Sequence, residues 1–67
     1  MKEVTYEEWQ KNPIPRMMWV WDYDTEHKVT RKVVYISSRN YFPVITVDLI
    51  GNIYTFCHCA EAEIAKE

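Results

Sequence analysis

The stretch "RMMWVWDYD", Arg16–Asp24, decides the fold because its side chains alternate with the period of a β-strand. One row of alternate positions is apolar or aromatic throughout: Met17, Trp19, Trp21 and Tyr23. The other row starts apolar and then becomes acidic: Met18, Val20, Asp22 and Asp24. We therefore predict a strand over Arg16–Tyr23 with large side chains on both faces, followed by a turn at "DTEH".

Length and composition predict one folded domain over residues 1–67. The chain of 67 residues is 48% hydrophobic and 15% aromatic, which is far from the composition of a disordered segment. A domain of this size buries only about 60% of the surface that its unfolded chain exposes. Many of the aromatic side chains must therefore belong to a small core, but they cannot all be fully buried.

A short helix is predicted before this strand. Thr5 and Glu8 have the spacing of a capping box, in which the threonine hydroxyl accepts a hydrogen bond from an amide of the first turn. Pro13 ends the helix, because the residue before a proline is disfavoured in the helical conformation. We predict a helix over 5–11 that Trp9 docks onto the sheet, since a helix this short is not stable alone.

The rest of the chain predicts further strands joined by short turns. We expect strands over 28–37, 41–49 and 52–59, and either a closing strand or a single turn across 60–64. Gly51, the one glycine, lies in the turn "DLIGN", where we expect a positive φ. The fold class is mainly β (α+β): a short N-terminal helix followed by a four- to five-stranded antiparallel meander, either open or closed into a small SH3-like barrel.

Alternation also assigns the side chains of the later strands to faces. In the second strand, Val33 and Tyr35 fall on one face and Ile36 on the other. In the fourth strand, Tyr54 and His58 fall on the same face. Both faces of the sheet therefore present large apolar side chains.

The charge balance argues against a nucleic-acid partner. Eight lysines and arginines are scattered among ten acidic residues, which gives a net charge of −2 and a pI of about 5.6. A phosphate backbone requires a basic patch. No apolar run approaches the roughly 20 residues of a membrane span, and no signal-peptide pattern opens the sequence. We expect a cytoplasmic protein with no membrane partner.

The group Cys57-His58-Cys59 carries ligands that zinc prefers, but its pattern does not complete a site. A structural zinc site needs four ligands, and the one other histidine is His27, in a predicted turn. On a strand, the two cysteines leave one face and the histidine leaves the other. Their Cα atoms then lie at or beyond the usual limit for a disulfide. We therefore predict two free thiols and no metal site.

Catalytic constellations are not indicated either. Asp22, Asp24 and Glu26 could act as paired carboxylates if one of them were buried, but acidic side chains next to a turn are usually solvated. Ser37 and Ser38 have no histidine placed near them by the sequence. A single glycine cannot build a phosphate-binding loop. We predict no enzymatic activity and no cofactor.

The aromatic strand is the strongest candidate for a function. One short helix can cover only one face of the sheet, so the other face would expose an aromatic patch of the kind that marks interaction sites. Tryptophan, tyrosine and arginine also dominate binding hot spots. The candidate binding residues are Arg16, Trp19, Trp21, Asp22, Tyr23, Asp24 and Tyr35. The alternative is structural: a curled barrel buries one aromatic row while the helix covers the other.

The stretches "IPRMMWVWDYD", "TRKVVYI" and "YTFCHCAE" resemble small uncharacterised proteins encoded in bacteriophage and prophage genomes. Those proteins share the strand pattern P-R-x-M-W-V-W-D, a basic-apolar second strand and an H-C-A-E ending. The matching residues are Pro15, Arg16, Met18, Trp19, Val20, Trp21, Asp22, Arg31–Ile36 and His58–Glu61. The resemblance covers about four-fifths of a single domain of this length. It implies a phage or mobile-element accessory protein in a bacterial cytoplasm and carries over no catalytic residues.

Three functions fit these observations. The first is a non-enzymatic module that binds a host protein or a small nucleotide through the aromatic face, or forms a homodimer through it. The second is a nucleic-acid-binding β-barrel, in which aromatic rows stack bases beside a basic strip of Lys28, Arg31, Lys32 and Arg39. The third is a structural phage component. We favour the first, because the acidic total disfavours nucleic acid.

Overall fold

The chain folds into one sheet and a short helix in this computed structural model, which describes residues 1–62. In chain order, the elements are α1 (Tyr6–Lys11), β1 (Arg16–Trp21), a 3₁₀ turn (Thr25–His27), β2 (Val29–Ile36), β3 (Val44–Val47), β4 (Ile53–Phe56) and β5 (His58–Glu61). The strands pair antiparallel in the order β4-β3-β2-β1-β5. The predicted mainly β fold with an N-terminal helix is confirmed.

The fourth predicted strand is split at Cys57 into β4 and β5, which lie on opposite edges of the sheet. One residue separates the two segments, so the sheet curls until its two edges meet at this point. Asp22 holds the kink, because its Oδ1 accepts a hydrogen bond from the Cys57 amide at 3.0 Å. Alternation predicted that Tyr54 and His58 share a face. Because of the kink, they lie on opposite faces.

The curled sheet stays open. No ladder joins β4 to β5 within the described residues, so the two edges meet without closing into the SH3-like barrel that the sequence allowed. β1 to β4 form the predicted meander, and β5 returns to pair with the free side of β1. The result is a five-stranded sheet with the strand of the opening sequence near one edge.

The first strand is shorter than the sequence predicted. β1 ends at Trp21, whereas alternation extended it to Tyr23. The cause is Asp24, whose Oδ1 accepts a hydrogen bond from the His27 amide at 3.2 Å and so caps the 3₁₀ turn. The acidic end of the predicted strand is therefore committed to a turn and does not pair with a neighbour.

Proline and glycine account for two further features of the strands and turns. β3 begins at Val44, directly after Pro43, which has no amide N–H to give to a ladder. Gly51 has a φ of 92°, as predicted, in the turn between β3 and β4. The segment predicted across 60–64 is a strand up to Glu61, and its last two residues lie outside the described part.

A β-bulge in β2 changes the faces that alternation assigned. The pairing with β3 shifts between Val33 and Tyr35, so one additional residue enters β2 at this point. Val33 and Ile36 are consequently both buried, although the sequence placed them on opposite faces. Tyr35 then lies on the other face from both of them and is 46% exposed.

One face of the sheet, the inner face, holds the core with the helix. The buried apolar residues of this core are Trp9, Met18, Val20, Val33, Ile36, Val44 and Cys59. Trp9 is only 1% exposed, which confirms that it docks the helix. The threonine half of the predicted capping box is present, since Thr5 Oγ1 accepts a hydrogen bond from the Glu8 amide at 3.2 Å. The Glu8 carboxylate lies 3.9 Å from the Lys11 ammonium group, and the helix ends at Lys11. The indole supplies a large share of the apolar area that so small a domain can bury.

We expect Trp9→Ala to lower the free energy of unfolding by about 3–5 kcal/mol, because it removes a buried indole and leaves a cavity in the core. The matched control is Tyr23→Ala, which removes a ring that is 94% exposed. That control should change the stability by less than about 0.5 kcal/mol. Urea unfolding followed by circular dichroism measures both values, and equal losses would contradict the core described here.

The kink gives a second prediction. Asp22→Ala should lower the free energy of unfolding by about 1–3 kcal/mol, because the partly buried Cys57 amide would lose its acceptor. Asp22→Asn is the matched control: its side-chain oxygen can still accept the bond, so its loss should be smaller. Thermal unfolding of the three proteins compares them. Equal losses in both variants would show that the negative charge, and not the hydrogen bond, stabilises the kink.

Candidate binding face

The face of the sheet that points away from the core, the outer face, carries apolar side chains in adjacent rows. One row crosses four strands and consists of Met17, Lys32, Val47 and Ile53. Cross-strand partners share a face, and Met17 and Ile53 are 46% and 67% exposed. Tyr35 lies in the next row on the same side. The helix packs on the inner face, so it leaves these side chains open to solvent.

Trp19 adds an indole to the outer face. It is half-buried between its cross-strand partners, Thr30 of β2 and Ala60 of β5. The ammonium group of Lys28 lies 4.8 Å from the centroid of its ring, within range of a cation–π interaction. One side of this indole is therefore already in contact with a positive charge.

Trp21 is held by a chain of contacts that ends in the N-terminal segment. Its ring stacks on the His58 imidazole, with centroids 5.6 Å apart and an interplanar angle of 26°. The Nδ1 atom of His58 lies 2.6 Å from Oε2 of Glu3, close enough for a hydrogen bond. These contacts hold the two rings against each other and against the N-terminal segment.

The residues proposed from the sequence do not all lie together. Those on the outer face are Trp19, Trp21 and Tyr35. Tyr23 and Asp24 lie in the turn after β1, beside this face, and Tyr23 is 94% exposed. Asp24 Oδ1 contacts Nδ1 of His27 at 2.9 Å, and this hydrogen bond lowers the pKa of the carboxyl below its ordinary value. The carboxylate of Asp24 thus forms its contacts within the turn, with His27.

Arg16 and Asp22 serve the structure, away from the outer face. Arg16 lies on the inner side, with its guanidinium carbon 5.0 Å from the centroid of the Trp9 ring. Its Nη2 and Nε donate to the two carboxylate oxygens of Glu61 at 2.6 and 3.1 Å, in a bidentate pair. Asp22 accepts the Cys57 amide at the kink. Of the candidate binding residues, Arg16 thus lies on the inner side and Asp22 at the kink.

The sequence interpretation missed the tip of the β3–β4 hairpin. Leu49 and Ile50 are 104% and 84% exposed there. Asp48 Oδ1 accepts the Ile50 amide at 3.0 Å and fixes the turn. With Met17 and Val47, Leu49 lines a shallow depression of about 340 Å³ that continues the outer face. The sequence did indicate this exposure, because Leu49 and Ile50 lie inside a turn motif, where apolar side chains cannot reach the core.

A groove of about 780 Å³ runs between the N-terminal segment, α1 and β5, and Trp19 lines its rim. Four of the charged side chains that line it form pairs, Lys11 with Glu8 at 3.9 Å and Arg16 with Glu61 at 2.6 Å. Paired and solvated charges are typical of a protein surface. A catalytic centre is expected instead to shift the pKa of a group toward the pH at which it works.

Both cysteines are free thiols, as predicted, and both are poorly ionised. Burial, with the nearby charges of Glu3 and Glu61, raises the pKa of Cys59 to about 12. Burial and the neighbouring Asp22 carboxylate also raise the pKa of Cys57. Because the thiolate is the reactive form, neither thiol is poised to act as a nucleophile at neutral pH. In the described part of the chain, no cluster of His, Cys, Asp and Glu side chains is arranged to hold a metal ion.

Comparison with known proteins identifies no relative of this chain. No protein-family model matches the chain, and neither a curated protein nor a solved structure matches it significantly. Among the residues that the structure describes, no helix has the length and apolar character needed to cross a membrane. The candidate site therefore rests on the residues and their contacts.

The Arg16–Glu61 pair gives a prediction about pH. The hydrogen bond from Arg16 lowers the pKa of Glu61 below its ordinary value of 4.5 in the folded protein. A carboxyl group whose pKa is lowered by folding stabilises the protein above its unfolded pKa, and this contribution is lost as the pH falls through the folded pKa. Glu61→Gln should therefore lose less stability than the wild type between neutral pH and the acidic range below 4.5.

Urea unfolding at a series of pH values measures this difference. Glu26→Gln, at an exposed position of the 3₁₀ turn, is the control that removes one acidic group without touching the pair. It should keep the steeper acid dependence of the wild type. An acid dependence that is identical in Glu61→Gln and the wild type would show that the pair does not couple protonation to folding.

Proposed function

We propose that this protein is a small non-enzymatic module that binds a host protein through its outer face. The asymmetry of the sheet carries the proposal: the inner face supplies the core, whereas Met17, Tyr35 and Ile53 remain 46%, 46% and 67% exposed. Exposed apolar side chains grouped on one face mark interaction sites. A phage or mobile-element accessory protein in a bacterial cytoplasm could act in this way, because occupying a host protein needs a surface and no reaction.

Charge narrows the chemistry of the partner. The ammonium group of Lys28 lies over the Trp19 ring, and Lys32 lies on the same face, as the cross-strand partner of Met17. The whole chain is nevertheless acidic, with a net charge of −2. The part of the outer face around Met17 and Trp19 therefore carries two lysines, whereas the carboxylate of Glu3 lies beside His58 at its other end. A partner surface that combines apolar groups with carboxylates would complement the part with the lysines.

Rigidity supports a role in binding. Trp21 is held by its stack on His58, and His58 is held by Glu3. Trp19 is fixed between two strands, with Lys28 over its ring. Side chains that are already ordered lose little conformational entropy on association, so more of the contact energy becomes affinity. Aromatic residues held in this way are typical hot spots.

Titratable groups support the non-enzymatic part of the proposal. The thiols of Cys57 and Cys59 have raised pKa values, which keeps them protonated at neutral pH. The carboxylates of Asp22 and Asp24 each accept an amide hydrogen bond and hold the backbone. Acid–base catalysis requires a pair of groups whose environments separate their pKa values across the working pH, and these four side chains have structural duties instead.

Affinity capture from a bacterial lysate, followed by binding measurements with the purified captured protein, tests the proposal. Met17→Glu and Tyr35→Glu place a negative charge on the outer face, and each should weaken binding roughly tenfold or more. Tyr41→Glu is the matched control, because it makes the same change at a ring that is 88% exposed in the β2–β3 turn. The control should bind like the wild type.

Two results would exclude this function for the outer face. One is equal affinity of all three variants for the purified partner. The other is a failure of every captured protein to bind the wild type directly. Weaker binding at higher salt would in addition support the acidic character of the partner, since exposed charges are screened by ions.

Nucleic-acid binding is the second candidate, and one observation favours it: Lys28 lies over the Trp19 indole, and Lys32 adds a second positive charge to the same sheet face, opposite Met17. Fluorescence anisotropy with labelled single-stranded DNA at low salt separates the two candidates. Binding that weakens steeply with salt would favour nucleic acid. The contact between Lys28 and Trp19 argues against it, because the ammonium group occupies one side of the ring on which a base would stack.

A further inference from the structure

The two edges of the sheet are treated differently by the chain. At the β5 edge, Glu3 forms a bridge with Ala60, and the Val4 amide donates to the Cys59 carbonyl at 2.8 Å. β4 lies at the other edge, and no strand among residues 1–62 pairs with its outer side. Within residues 1–62, the N-terminal segment thus covers one edge, and no strand covers the backbone donors and acceptors of the other.

The bare edge lacks most features that prevent strands from pairing. β4 reads Ile-Tyr-Thr-Phe, four residues that favour strands, with no charge, proline or glycine among them. Its ladder with β3 is regular, without a bulge that would twist the edge away. Ile53 is 67% and Tyr54 48% exposed, so the strand is accessible from both faces. Only its short length limits the pairing.

The hydrogen-bond pattern shows which groups face outward. The Asp48 amide donates to the Asn52 carbonyl at 3.0 Å, so this pair at the base of the turn is hydrogen-bonded. Bonded and non-bonded pairs alternate along an antiparallel ladder. Tyr54 therefore directs its backbone groups toward β3, whereas Ile53 and Thr55 direct theirs away from the sheet.

The residues on either side of β4 restrict the register. The Cys57 amide already donates to Asp22 at the kink, and the Gly51 amide donates to the Asp48 carbonyl at 3.2 Å. Neither of these amides is available to a strand that adds to the edge. A strand that pairs with β4 must therefore bond to Ile53 and Thr55 and end before it reaches Gly51 or Cys57.

We propose that two copies of this chain pair edge to edge through β4, antiparallel about a two-fold axis at Tyr54. In this register, Ile53 exchanges both main-chain hydrogen bonds with the partner's Thr55. By symmetry, Thr55 does the same with the partner's Ile53. The outward pattern of β4 is self-complementary under a two-fold axis, which is why a second copy fits it. The uncharged strand also brings no like charges together, although each chain carries −2.

Pairing covers side chains that the single chain exposes. Ile53 meets the partner's Thr55 on the outer face, and Tyr54 meets the partner's Tyr54 on the opposite side. The tyrosines form a non-bonded pair, in which the Cα atoms are about 4.5 Å apart. The two sheets become one continuous sheet, and the two outer faces lie side by side. This dimer does not depend on the binding role of the outer face.

Sedimentation equilibrium of the full chain tests the proposal. We expect the wild type to dimerise. Tyr54→Lys or Tyr54→Glu alone should raise the dissociation constant roughly tenfold or more, because like charges then meet across the axis. An equimolar mixture of these two variants should restore the dimer, since lysine then faces glutamate. Tyr41→Lys, a control at an 88% exposed ring in the β2–β3 turn, should leave the dimer unchanged.

Thr55→Pro gives an independent test, because proline removes an outward amide and is tolerated at a sheet edge. It should give a folded monomer, with folding checked by circular dichroism. A wild type that stays monomeric up to millimolar concentration would overturn the proposal. So would a dimer that persists in Thr55→Pro and in both single Tyr54 variants, or one that Met17→Glu disrupts while those variants do not, since the interface would then lie on the outer face.

Discussion

The hydrogen bond from the Cys57 amide to the Asp22 carboxylate joins positions that are 35 residues apart, and the shape of the sheet depends on it. It holds the kink that lets one continuous stretch of chain pair with β3 at one edge and with β1 at the other. The curled sheet encloses a small core on its inner face. A helix of six residues is then sufficient to cover that core with Trp9.

The outer face and the β4 edge remain accessible for the same reason. The helix packs on the inner face, and the N-terminal segment pairs with β5, so neither covers Met17, Tyr35 or the outward side of β4. A domain of this size cannot bury both sides of a sheet that is rich in aromatic residues. Surface that the chain leaves apolar is then available to a partner. The two proposed interactions meet at Ile53 and otherwise use a face for a different protein and an edge for a second copy.

Sequence reasoning succeeded where the physical cause is local. The cap at Thr5 and the positive φ at Gly51 act through neighbouring residues, and the tryptophans of β1 were placed by unbroken alternation. It failed at the bulge in β2 and at the kink in the last strand, because alternation does not reveal where the backbone departs from it. It also did not find the contacts of Arg16 with Glu61 and of Asp22 with Cys57, because these partners lie 45 and 35 residues away in the chain. The periodicity of a sequence contains no information about such long-range pairs.

Amide hydrogen exchange of the folded chain, followed residue by residue by NMR, tests the central claim most directly. The account predicts that the Cys57 amide exchanges nearly as slowly as the amides of Met18 and Val20 in β1, although it lies between two strands, because Asp22 holds it at the junction of the two edges. A Cys57 amide that exchanges as fast as the amide of Leu49, at the exposed hairpin tip, would contradict the account.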